Sequence, residues 1–100
     1  MTRSVLFLHA RPGRATELLR LLERLGVLAV AGEQPGFLGM EVAAAVDDPD
    51  EIVVIESWSS LDLLERWNAG REAADWRARI GDLLAEPPGE RVYRLVEAVR

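Results

Sequence analysis

His9 is the only histidine in these 100 residues, and the only side chain whose ordinary titration lies near neutrality, so it is the first candidate for moving a proton. Arg77 carries a permanent charge and five fixed donors. Trp58 and Trp67 bring large flat surfaces able to wall a pocket for a planar ligand. Asn68 and Tyr93 add groups that can orient a substrate by hydrogen bonding. The chain has no cysteine, which removes thiolate nucleophiles, disulfides and thiolate metal sites together. With one histidine per chain a multi-histidine centre would need a symmetry partner, and no metal is expected.

Each of these residues also has a plainer reading. Trp67 stands at helical spacing with Leu61 and Leu64 and fits a core stripe. Arg77 shares its segment with Arg71, Asp75 and Arg79, as on a solvated helix face. His9 fits a hydrogen-bonded strand end, Asn68 beside Gly70 fits a helix break, and Tyr93 fits a sheet surface.

Acidic residues outnumber basic ones 17 to 12, for a formal net charge of −5. That field repels phosphate backbones and anionic lipid surfaces, so no nucleic acid and no membrane is expected as a partner. The early apolar run Val5 to Leu8 meets the charged turn Arg11-Pro12-Gly13-Arg14 too soon for an export signal. No apolar stretch, Val27 to Ala31 included, approaches the roughly 20 residues that span a bilayer. A soluble, cytoplasmic protein is the expectation.

The elements that must position the candidate residues follow from periodicity. Ser4 to Ala10 reads as a first strand, ended by Pro12-Gly13. From Arg14 to about Ala31, apolar residues recur three and four apart, with Glu17, Arg20, Glu23 and Arg24 on the wet face. That pattern predicts one amphipathic helix, with Gly32 as its left-handed end. Phe37 to Val46 and Ile52 to Trp58 read as a hairpin across the acidic reversal Asp47-Asp48-Pro49-Asp50-Glu51. In the second of these strands Ile52, Val54, Glu56 and Trp58 share one face, and Val53, Ile55 and Ser57 the other. Ser59-Ser60 with Asp62 opens a second helical region, interrupted near Gly70 and stopped by Pro87-Pro88-Gly89. Glu90 to Val99 alternates as a final strand.

The order βαββαβ predicts a ferredoxin-like α+β domain over residues 1–100, with two helical regions on one face of a four-stranded antiparallel sheet. The other sheet face is left bare. It would expose several hundred Å² of apolar surface, more than a soluble monomer usually tolerates, so a homodimer packed through that face is expected.

The stretch Glu56-Ser57-Trp58-Ser59-Ser60, Trp67 nine residues beyond Trp58, the close on Glu86-Pro87-Pro88 and the terminal Tyr93 together resemble the antibiotic biosynthesis monooxygenase family. Pro35-Gly36-Phe37-Leu38-Gly39 is similar to that family's entry into its second strand. The resemblance implies a dimeric α+β barrel. It also implies cofactor-free oxidation of anthrone-like or quinol-like aromatics, haem degradation, or no activity. Trp67 falls where the haem-degrading branch places a tryptophan, but that branch's axial histidine and strand-one asparagine read here as Arg77 and about Leu6. Arginine does not ligate iron at ordinary pH, so haem chemistry does not carry over. Trp58 and Arg77 match two residues of the anthrone-oxidising branch, while its asparagine and tyrosine fall near Val54 and Leu64.

The resulting expectation is a cofactor-independent monooxygenase acting on a small aromatic substrate. Its pocket is expected between sheet and helices, walled by Trp58 and Trp67, with His9 and Arg77 as catalytic contacts and Asn68 and Tyr93 as binding contacts. The alternative is a non-catalytic small-ligand-binding or interaction domain of the same fold.

Overall fold

The computed structural model describes residues 1–99. Strands β1 (Thr2–His9), β2 (Phe37–Ala44), β3 (Glu51–Trp58) and β4 (Gly89–Arg94) form one antiparallel sheet in the order β2-β3-β1-β4. Helices α1 (Ala15–Arg24), α2 (Val27–Gly32), α3 (Leu61–Asn68) and α4 (Arg71–Ile80) cover one of its faces. This is the ferredoxin-like α+β order.

Alternation along the central strands decides which side is dry. Leu6 and Leu8 of β1 and Ile52, Val54 and Trp58 of β3 are fully buried, and they meet Leu18, Leu64, Trp67, Trp76 and Ile80 from the helices in one continuous core. The opposite face carries Val5, Phe7, His9, Val53, Ile55 and Tyr93, none of them buried.

Two features of this frame place the candidate site. The first helical pattern is broken into α1 and α2 at Gly26, whose φ of +64° is left-handed. Leu25 and Leu28 keep the helical period across the break, so hydrophobic spacing alone hides it. Gly32, expected to be the left-handed residue, is instead the last residue of α2 and has no positive φ. The second feature is Gly36, with φ +81°, where an added Cβ would lie 2.3 Å from a Leu63 methyl and 2.6 Å from Ser59 Oγ. Only glycine lets the entry to β2 pass so close to the start of α3.

The second helical region breaks at Gly70 as periodicity predicts, and Ser60 caps α3 by accepting the Leu63 N–H at 3.3 Å. It ends sooner than the prolines require. After Ile80 the chain makes a 3₁₀ turn (Gly81–Leu83), and Leu84 then extends to pair with Ala10, which buries Leu83 and Leu84. The final strand also stops early, at Arg94 rather than Val99. Its partner β1 begins at Thr2, opposite Arg94, and beyond that point only the Leu95 N–H reaches the Met1 carbonyl. Similarly β2 closes at Ala44 rather than Val46, because the Asp48 carboxylate accepts the Asp50 N–H at 3.0 Å and turns the chain.

Candidate functional site

A cavity of about 510 Å³ opens between α1, α2 and the outer half of the sheet. Met40 and Val42 of β2 and Val54 of β3 form its floor, since Val42 lies directly opposite Val54 and both point toward the helices. Leu19, Leu22 and Glu23 come from α1, residues 26–29 from the turn and α2, and Trp76 from α4. The turn at Gly26 is held by its N–H donating to the Glu23 carbonyl at 3.1 Å, and it brings α2 across β2. Leu19, Leu28 and Val42 remain exposed around the mouth. A flat apolar molecule fits such a chamber, with Trp76 as its largest wall.

The expected residues do not converge on this cavity. Trp58 is fully buried in the core, edge-on to Phe37 at 5.4 Å between ring centroids and 6.1 Å from Trp67. Trp67 borders a separate void of about 90 Å³, shared with Trp76. His9 stands on the opposite face of the sheet with its side chain 45% exposed, in another cleft of about 270 Å³ with Phe7, Glu51 and Glu86. Its position on β1 explains this: it keeps phase with Val5 and Phe7, while Leu6 and Leu8 face the helices. Tyr93 also lies on the outer face, near the Arg91 guanidinium. The single pocket walled by Trp58 and Trp67 and reached by His9 and Arg77 is therefore not formed.

Asn68 and Arg77 do meet, in a polar cluster beneath the helices. The Arg77 Nη2 donates to Asn68 Oδ1 at 3.0 Å and lies 3.5 Å from Glu90 Oε2, while Asn68 Nδ2 donates to both Glu90 oxygens at 3.3 Å. The Ser4 hydroxyl donates to the same Glu90 carboxylate. These contacts tie α3, α4, β1 and β4 together. Glu56, fully buried on β3, stands beside them with Oε1 accepting the Trp58 indole N–H at 3.0 Å and Oε2 without a partner. Burial pushes its carboxyl above the ordinary carboxylate range and Glu90 adds to this, whereas the Trp58 hydrogen bond and the Arg77 charge pull the other way. The indole N–H groups of Trp67 and Trp76 and the Arg77 Nε are also buried without acceptors. Among the described residues no group of three or more His, Cys, Asp or Glu side chains is placed to hold a metal ion. No helix among them is long and apolar enough to cross a membrane.

Sequence reasoning missed Trp76, Glu23 and Glu56 as site residues. Trp76 reads as one more apolar position in a stripe, and Glu23 as one more wet-face charge. Strand alternation does place Glu56 among buried neighbours, and a lone acid on a dry face was the available signal.

A four-stranded antiparallel sheet in this order, with helices on one face, defines the ferredoxin-like class of α+β fold. Comparison narrows the class. The profile of the antibiotic biosynthesis monooxygenase family matches residues 1–79, and the chain belongs to that family. A Deinococcus radiodurans protein named for the same family superposes with a TM-score of 0.84 at 20% identity, over 100% of this chain and 97% of that one. SnoaB from Streptomyces nogalater, a cofactor-independent oxygenase, gives a TM-score of 0.83 at 17% identity, over 98% and 95% of the two chains. Rv0793 from Mycobacterium tuberculosis gives 0.81 at 19% identity, over 99% and 98%. At these identities the likeness is one of fold. No curated protein matches the chain.

Proposed function

We propose that this protein is a cofactor-independent monooxygenase whose substrate is a small planar aromatic of the quinol or anthrone type, held against Trp76. The observation that carries the reading is the cavity of about 510 Å³ with an almost wholly apolar lining. A substrate of this class, once deprotonated, is itself the electron donor to dioxygen; one oxygen atom enters the ring and the other leaves as water. The protein's contribution is then to hold the flat apolar body of the substrate, keep bulk water away and leave room for oxygen. Membership of the monooxygenase family supports this assignment.

Oxygen consumption with 1,8-dihydroxyanthrone, followed together with quinone absorbance, tests it. Protein-dependent uptake with matching product is expected. Absence of both uptake and tryptophan quenching would overturn it.

A non-catalytic ligand-binding or interaction domain is the second reading. It is favoured by the mutual pairing of Arg77, Asn68 and Glu90 and by the position of His9 on the far face, which leave the cavity without either expected catalytic group. Quenching without product would select it.

The working unit in either reading is a cytoplasmic homodimer. Phe7 and Tyr93, 37% and 46% exposed, stand with Val5, Val53 and Ile55 on a sheet face that a second copy would cover. The absence of cysteine suits a reducing compartment. Light scattering at high and low concentration tests the assembly, with twice the chain mass expected.

A further inference from the structure

The cavity's ionisable lining comes down to one side chain. Among the residues that border it, Glu23 alone carries a charge, and the rest are apolar or glycine. Its carboxylate forms no hydrogen bond or ion pair among the described residues, although Arg20 and Arg24 flank it in sequence. Its location adds to its effect. Glu23 sits in the last turn of α1, the negative end of the helix dipole, where an acid lacks the favourable field it would have at a helix start and shares the turn with Arg24. The left-handed turn at Gly26 then leads into α2, so that Glu23 stands at the rim of the chamber with Leu28, both exposed.

We infer that Glu23 sets the charge preference of this cavity. The ligand presents a hydroxyl donor or a protonated amine toward α1, its flat apolar body lies against Trp76, and carboxylate-bearing analogues are rejected. The inference rests on the cavity being the ligand site and names the class of molecule that the site accepts. A hydroxyl donor gains a charge-assisted hydrogen bond to an otherwise unpaired oxygen. An anionic group placed at the same point meets both the carboxylate and the helix end.

Two tricyclic probes of the same outline and opposite charge test it: 9-aminoacridine, which is a cation at neutral pH, and 9-anthracenecarboxylate. Binding is read from each probe's fluorescence anisotropy with the full chain. The wild type is expected to prefer the cation, and Glu23→Gln to lower that preference by about fivefold, the effect of one charge at contact distance in a watery setting. Glu23→Lys is expected to reverse it. Glu17→Gln, which removes the same unit of charge from the same helix outside the cavity, is expected to leave the preference unchanged. Saturable binding with equal preference in wild type and Glu23→Gln, or an equal loss in Glu17→Gln, would overturn the role of Glu23 and leave the cavity as the ligand site. Failure of both probes to bind the wild type would overturn both.

Discussion

Trp58 donates its indole N–H to Glu56 across 3.0 Å, and both side chains are fully buried on the same face of β3. The bond satisfies one carboxyl oxygen and leaves the other unpartnered beside the Arg77–Glu90 pair. A buried acid held this way has a direct effect on stability.

Because burial raises the Glu56 carboxyl above its unfolded value, the folded chain keeps this proton after the unfolded chain has released it. The stability supplied by the neutral acid is complete below the unfolded value, about 4.3 for glutamate, and is lost as pH rises through the higher folded value. Urea unfolding from about pH 4 to 8 should therefore show wild-type stability declining with pH in excess of Glu56→Gln. Parallel curves for the two proteins would refute this.

Removing the Arg77 charge should push the Glu56 carboxyl higher still, since the nearby guanidinium favours the ionised form. Arg77→Met is expected to move the decline to higher pH. It should also lower stability by about 1–2 kcal/mol through the loss of its bonds to Asn68 and Glu90, a modest figure because the pair is partly solvated.

Glycine-to-alanine changes should separate strain from crowding. Gly26→Ala meets open space and should cost only the left-handed conformation, about 1–2 kcal/mol. Gly36→Ala adds collisions with Leu63 and Ser59, so its urea midpoint should fall further. Equal losses would show that the approach to α3 is loose.

Filling the chamber should abolish ligand binding without unfolding the chain. Val42 is 46% exposed at the mouth, so Val42→Trp adds bulk without overpacking the core. At least about a tenfold loss of affinity for planar aromatics is expected, from loss of apolar contact area, with an unchanged far-ultraviolet circular dichroism spectrum.

His9→Ala should leave turnover and ligand affinity unchanged, because its ring lies on the sheet face opposite the cavity. A loss of turnover with retained binding would bring the outer cleft into the mechanism.

Element order was readable from the sequence because strand and helix periods differ and the turns are marked by Pro35-Gly36, the acidic run at 47–51 and Gly70. The break at Gly26 was not, since apolar spacing continues through it and only backbone geometry shows the reversal. The site was less legible than the fold. Arg77 and Asn68, nine residues apart, turn toward each other, and Glu90 meets them only once β4 has docked. His9 shows the limit of reading a reactive residue without its face: alternation gave its neighbours Val5 and Phe7, but not which side the helices would cover.

The left-handed turn at Gly26 divides the chamber's walls between two masters. The floor, Val54 above all, also builds the shared core, so changes there are felt by the whole molecule. The roof is a six-residue helix, and Leu28 and Ala29, which it contributes, are exposed. A lineage of such chains is thus free to retune the size and shape of what it holds by exchanging a few roof residues, while the sheet beneath goes on folding as before.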